Sequence, residues 1–362
     1  MNWGMLRFYP NLYIILVGPS GVRKGTAMGP ALDMLKEIGV KLASEAITRE
    51  ALIRELKESN DTQVNPSTGE VHLHASLTIF SPELTVFLGY QNKQLMSDLC
   101  DWYDCRDSWK YRTKNQGTDD INGVWVNIVG GTTPELLQTT MPIEAIGSGL
   151  TSRMLFVYAE RKDKKVIFPS GDSSLRKKLI IGLEKMRMLS GEFKVTGGFM
   201  DTYGDWYLKE DKPPFDDHRF SGYFERRPNH LLKLSMICNV SRTSTKILEK
   251  DDFRQALTYL KSIEQKMPLT FRGVGKSNMA DVLTRLLTML RLNGEMHINE
   301  IMTRFYQDAD SQSMKHILAT LNEMGEIKMI VRGETDILVV HKSRYDEVYS
   351  HKKDVKILEV IK

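Results

Sequence analysis

Apolar residues run unbroken over 12–17 (Leu-Tyr-Ile-Ile-Leu-Val). That length and β-rich content predict a strand buried on both faces, as in a parallel sheet. A glycine-rich turn follows, then a helical pattern to about Ile38, where Pro30 is expected to end or kink the first segment. A second helix is predicted from Thr48, with Leu52, Ile53 and Leu56 on one face, and another over 91–104. Strands are predicted over 71–80, 109–114, 124–129 and 153–158, with 109–114 and 124–129 flanking the polar tip KNQGTDDING. Pro134 opens a further helix. Strands alternating with helices imply an α/β domain with a mostly parallel sheet. From about 172 to 265 the pattern turns helical, and LEKDDFRQALTYLKSI carries a 3.6-residue apolar stripe with Asp251 or Asp252 as the expected N-cap.

Residues 267–278 (MPLTFRGVGKSN) read as a linker. Three short amphipathic segments follow, two of them closed by glycine, and then two strands around a turn at Gly333. That is winged-helix order. The expected organisation is a core over 1–171, a helical lid over 172–266, the linker 267–278, a winged helix over 279–345 and a tail over 346–362.

Composition narrows this little. The 362 residues are 41% hydrophobic and 27% charged, with a net charge of +4. A mildly basic chain is compatible with nucleic acid without pointing to it. Cys100, Cys105 and Cys238 are odd in number and lack zinc spacing, so they read as reduced thiols of a cytoplasmic protein. No apolar run reaches membrane-spanning length and no signal peptide is seen. His72 and His74 alternate on a strand without a visible third ligand and read as ordinary sheet residues. Asp98, Asp101, Asp104 and Asp107 read as a solvated helix face.

The chemistry begins at ILVGPSGVRKGT, residues 15–26. A phosphate-binding loop (P-loop) wraps phosphates in consecutive backbone N–H groups at a helix N-terminus, with a lysine reaching the β/γ-phosphates and a following Ser/Thr on Mg²⁺. Gly18, Pro19, Ser20, Gly21 and Val22 form the expected turn, Arg23 stands where the pattern wants glycine, and Lys24 takes the lysine position. Gly25 cannot ligate metal, so Thr26, one residue late, is the candidate metal ligand. The alternative is a plain strand-to-helix turn. A second string, RGVGKS at 272–277, has an intact G-K-S but no preceding strand, and reads as linker.

VGPSGVRKGT, followed in order by LTIFSPELTVFLG, VNIVGGTTPELL and GLTSRMLFVY, resembles the primase/helicase-like P-loop ATPases of phages, prophages and other mobile elements. More distantly it is similar to minichromosome-maintenance and superfamily-three hexameric helicases of the AAA+ type. The resemblance spans roughly residues 10–265 in motif order. It implies an AAA+-like P-loop NTPase fold, with ATP and Mg²⁺ bound between subunits of a hexameric ring. Glu83 matches the glutamate that polarises the attacking water, although Pro82 replaces its usual aspartate partner. The other account of Glu83 is a first-turn acid favoured by the helix dipole. Thr133 matches the γ-phosphate sensor, and equally fits an N-cap before Pro134. Arg153 matches the arginine such rings insert into a neighbour's site, where it would stabilise charge on the transferred phosphoryl group. A strand-end arginine in a salt bridge is the alternative. Arg226 or Arg227, in ERRPNHLLKL, would be a second nucleotide-sensing arginine.

Lys110, Arg112 and Lys114 recur at i, i+2, i+4, on one strand face, and their position matches the hairpin such helicases project into the ring channel. There they would track a DNA backbone without reading sequence; a solvated face fits the same spacing. In SQSMKHILATLNEMG, Met314, Ile317, Leu318 and Leu321 form the expected buried stripe and Lys315 stays outward on a recognition-type helix, with Arg332 near the wing tip.

The expectation is an ATP-dependent DNA helicase or translocase of a phage or mobile element, acting on single-stranded and forked DNA, without membrane attachment. A nucleotide-binding replication initiator or adaptor with weak or no hydrolysis is the alternative, motivated by Gly25 and Pro82. A winged-helix transcription regulator driven by an ATPase is a third. The loop begins about 17 residues into the chain, which reads as a stripped-down ring subunit or a piece of a longer protein.

Overall fold

The computed structural model describes residues 1–65, 68–113, 117–141, 149–162, 166–167, 171–209, 213–215, 217–271, 278–332, 336–351 and 356–357. Lys114, the side chain of Arg332 and the string RGVGKS fall outside them. The chain forms two compact units, Met1–Arg272 and Gly273–Lys362, with thirteen α-helices among the described residues.

The first unit opens with a two-residue ladder, Asn2–Trp3 (β1) on Leu6–Arg7 (β2). Its centre is a mixed, mostly parallel sheet. Tyr13–Val17 (β3) is the expected buried strand, with Tyr13, Ile15 and Val17 essentially inaccessible. It lies between Val124–Thr132 (β8) and Met154–Tyr158 (β9), parallel to both. Val71–Ser81 (β5) is parallel to β8, and Asn60–Val64 (β4) closes the edge antiparallel to β5. The chain leaves β3 towards β5 and leaves β8 towards β9. Neighbouring strands thus send their connections to opposite sides, the condition under which open α/β sheets bind ligands beyond their carboxyl ends.

Helix Lys24–Glu37 (α1) follows β3 and continues past Pro30, where an end or a kink was expected. Proline removes only the bond to the Thr26 carbonyl, and Met28, 3% exposed, anchors that stretch to the core. Arg49–Glu58 (α2) begins as expected, with Thr48 Oγ1 accepting from Ala51 N and Leu52, Ile53 and Leu56 fully buried. Short Leu84–Leu88 (α3) and Lys93–Tyr103 (α4) lead to a hairpin, Ser108–Thr113 (β6) with Gly117–Asn122 (β7). The return strand of this hairpin lies inside the expected polar tip, and the segment expected to return, 124–129, belongs to the central sheet. Asp119 and Asp120 are poor strand formers. Ile121, fully buried opposite Trp109, and the pairs Lys57–Asp119 (2.7 Å) and Lys110–Asp120 (3.0 Å) hold them in the ladder. Of the aspartates read as a solvated face, Asp98 departs from that reading and is buried against Arg49 at 2.6 Å, whereas Asp101, Asp104 and Asp107 stay accessible to solvent and pair with Arg106, Arg153 and Arg7.

Pro134–Thr140 (α5) follows β8. Four helices, Ser173–Arg187 (α6), Gly197–Lys209 (α7), Ser221–Arg242 (α8) and Lys250–Glu264 (α9), occupy the expected lid segment. The N-cap of α9 is Glu249, not Asp251 or Asp252. Asp252 is buried, accepting from Glu249 N (2.8 Å) and Asn239 Nδ2 (3.0 Å), so burial decides its role. Residues Met267–Phe271, expected in the linker, form a 3-10 turn whose Phe271 ring packs edge-on to Phe156 at 5.1 Å.

The second unit shows the expected order: helices Asn278–Asn293 (α10), Ile298–Phe305 (α11) and Ser311–Glu323 (α12), then strands Ile327–Arg332 and Asp336–His341 paired antiparallel. A short strand, Glu295–His297, was not foreseen. The expected tail contains the end of helix Lys342–Val348 (α13), a buried Tyr349 and a two-residue strand, Lys356–Ile357, that extends the sheet. No helix among the described residues is long and apolar enough to cross a membrane.

Candidate functional site

Parallel register gathers three of the sequence-predicted groups at one edge of the sheet. Val17 lies beside Thr132 on one side and Tyr158 on the other, and Ser81 lies beside Gly130. The turns that carry Gly18, Glu83 and Thr133 therefore leave side by side, Glu83 two strands from the glycine turn, or about 10 Å. The fit is close. A Cβ on Gly18 would lie 2.2 Å from the Ala159 carbonyl oxygen, and one on Gly131 would lie 2.7 Å from the Pro82 carbonyl oxygen and 3.3 Å from Met28 Sδ. Gly131 thus lets α1 and the Pro82–Glu83 turn close over β8. Its signal, a Gly-Gly pair after an apolar run, was present in the sequence without a role attached to it.

The loop itself turns left-handed at Arg23, with φ 65° and ψ 39°, and Arg23 caps α1 without a side-chain bond. A residue with a Cβ therefore holds the conformation the pattern assigns to glycine. The first N–H groups of α1, on Lys24, Gly25 and Thr26, have no acceptor within the helix. No acid stands in that first turn. Lys24 Nζ donates to the carbonyl oxygens of Gly18 (2.7 Å) and Pro19 (3.1 Å), pinning the loop. Ser20, Gly21, Arg23, Gly25 and Thr26 are exposed, and Pro19 and Val22 half-buried. Arg23, Lys24 and the N-terminal end of α1 give this edge a positive character.

Glu83 sits at the N-cap of α3 with its side chain exposed and unused for capping, and its carboxylate makes no hydrogen bond or ion pair to the other described residues. Thr133 caps α5, its Oγ1 accepting from Leu136 N at 3.3 Å. The same hydroxyl keeps its proton to donate. Mg²⁺ asks for oxygens in an octahedral shell and is usually held by one or two carboxylates plus substrate phosphates. Gly25 and Pro82, at the positions the pattern gives to metal contacts, offer no side-chain oxygen, while Thr26 and Glu83 next to them do. They do not make the usual pair of metal contacts.

Arg153 is not brought to this edge. It precedes β9, beside Leu12 in register, six residues below Gly18 along the neighbouring strand, or about 20 Å. Its side chain is 9% exposed, with Nη1 donating to Gly149 O and Nη2 to Asp104 Oδ2, both at 2.7 Å. Arg226 lies 3.9 Å from the other oxygen of Asp104 and is 29% exposed. Burial, and then the like charge of Arg153, push the Arg226 guanidinium below its ordinary range. Arg227 is no candidate for a nucleotide sensor: it is buried in a two-point ion pair with Glu264 (2.5 and 2.9 Å), which also accepts from Tyr223 Oη. Its neighbour and not Arg227 itself faces solvent because the helical stripe turns 227 inward. Beneath Arg153 lies a polar layer: His230 Nε2 meets the Ser152 carbonyl at 3.0 Å, and Lys233 Nζ donates to Asn11 Oδ1 at 2.5 Å over the Tyr103 ring.

In the hairpin the expected alternation holds for Lys110 and Arg112, which are exposed, while Trp109 and Tyr111 turn inward against Trp102 and Arg49. Lys110 is paired with Asp120, so the two basic residues are not electrostatically equal. In the second unit the stripe Met314, Ile317, Leu318 and Leu321 is buried and Lys315 is exposed. Asp310 caps that helix, its Oδ1 accepting from Ser313 N at 2.7 Å.

No protein-family model and no curated protein matches the chain.

Proposed function

We propose that the chain is an ATP-dependent DNA helicase or translocase, similar to the primase/helicase-like P-loop ATPases of phages and mobile elements, and that it works as a ring with nucleotide at subunit boundaries. One observation carries this reading. The sheet gathers Gly18–Thr26, Glu83 and Thr133 at one edge and sets Arg153 at the other. Each copy would then carry the two complementary parts of a site at opposite edges, and only a neighbour would bring such parts together. The loop amides and Lys24 would hold the phosphates of ATP, Glu83 would polarise a water, and Thr133 would donate to the γ-phosphate. Arg153 would serve the adjoining copy. Nucleotide would arrive with Mg²⁺, which Thr26 would contact. Arg112, Lys110 and the Lys315 helix would lie along single-stranded or forked DNA, and a ring of six is the expected assembly.

The test is ATP turnover with and without single-stranded DNA. Lys24→Ala removes a charge-assisted phosphate contact and is expected to lower turnover on the order of 10²-fold. Turnover that survives Lys24→Ala refutes the site. The second reading, a nucleotide-binding initiator or adaptor, draws on Gly25, Pro82 and the pinning of Lys24 to loop carbonyls. Nucleotide binding that Lys24→Ala abolishes, with no turnover under any DNA condition, favours it.

A further inference from the structure

We propose that Asp104 is an internal stand-in for the phosphate that Arg153 would meet on a neighbouring copy, so that a lone subunit keeps its arginine latched. The inference rests on the ring reading above. A guanidinium prefers to meet an anion with two parallel donors. Here only Nη2 reaches Asp104, Nη1 is spent on the Gly149 carbonyl, and Nε is buried with no partner among the described residues. The contact is thus incomplete, and a phosphate that engaged Nε together with Nη2 would complete it. Asp104 is also a weak holder. Its side chain is 41% exposed, and it divides itself between Arg153 and Arg226, leaving two cations on one carboxylate. Helix stability does not call for it, because Asp104 is the C-cap of α4, where the macrodipole disfavours an acid. Arg153 lies about 20 Å from its own glycine turn along the strands, so a nucleotide held there would not reach Asp104's place, and on the ring reading the displacing phosphate is a neighbour's.

The full chain is labelled with phenylglyoxal, an arginine-selective dicarbonyl, and adducts at Arg153 are counted by mass spectrometry. Wild-type Arg153 is expected to react more slowly than Arg226, and Asp104→Asn to speed Arg153 at least five-fold. Asp104→Ala serves as a second variant, and thermal melting checks that both are folded. In parallel, ATP turnover is followed against protein concentration. Asp104→Asn is expected to reach half-maximal turnover at several-fold lower concentration, and Asp104→Asn with Arg153→Ala to lose that gain. Wild-type turnover that needs Lys24 and Arg153, with Arg153 labelling indifferent to both Asp104 variants, overturns the latch alone. Arg153 released by Asp104→Asn in a protein that turns over no ATP overturns the ring reading, and with it the role given to the released arginine.

Discussion

Arg23→Gly tests the loop where sequence and backbone disagree. Arg23 holds φ 65° and ψ 39°, a left-handed conformation that costs an L-residue roughly 1–2 kcal/mol over glycine. Glycine loses more chain entropy on folding, by about 0.5–1 kcal/mol. The net expectation is a gain of about 0.5–1 kcal/mol for Arg23→Gly. In a unit running from Met1 to Arg272, unfolding entropy is roughly 0.6 kcal/mol per degree, so the melting temperature would rise by only about 1–2 °C. Urea unfolding followed by circular dichroism reads it better, as a midpoint shift of about 0.2–0.3 M at a slope near 3 kcal/mol/M. Arg23→Ala is the control. It keeps the Cβ and removes an exposed side chain, and should stay within about 0.5 kcal/mol of wild type. If glycine stabilises no more than alanine, the left-handed turn carries no strain and the argument from its geometry fails.

Two further outcomes follow from the buried layer and the hairpin. His230 is fully buried and burial pushes its pKa down to about 4. A base whose folded pKa is depressed adds stability above its unfolded value and loses it as pH falls. The unfolding free energy should therefore drop between about pH 6.5 and pH 4 by up to about 3 kcal/mol more in wild type than in His230→Gln, measured by urea unfolding; equal slopes for the two proteins would refute it. Arg112→Ala should weaken single-stranded DNA binding more than Lys110→Ala, because Asp120 at 3.0 Å already offsets Lys110. It should also reduce the salt dependence of log K by about 0.7, in fluorescence anisotropy titrations.

How much of this could be read before folding depends on whether the signal is local. The β3 strand, the glycine turn, the Thr48 and Thr133 caps and the buried stripe of α12 follow from backbone sterics, orphaned helix-end donors and periodicity, all contained within a few residues. They were legible as written. The carboxylate at Glu83 was legible as a position, but whether capping would consume it was not.

Long-range pairing decided the rest. Asp119 and Asp120 became strand residues because Ile121 had a buried place opposite Trp109. Pro30 stayed inside α1 because Met28 was anchored in the core near Gly131. Arg226 and Arg227 differ by one position, and only the packing of α8 against α9 sent one to Glu264 and left the other near Asp104. The opening mismatch divides the same way. Arg23 in place of glycine is visible in the string, and its left-handed backbone and the folding of Lys24 onto Gly18 and Pro19 are events within the same loop. The 2.2 Å limit that Ala159 sets at Gly18 comes from the end of a strand distant in sequence. Local chemistry names the glycine turn, its lysine and the capping positions. Register between parallel strands, which no single segment encodes, brings them to one edge and carries Arg153 to the other.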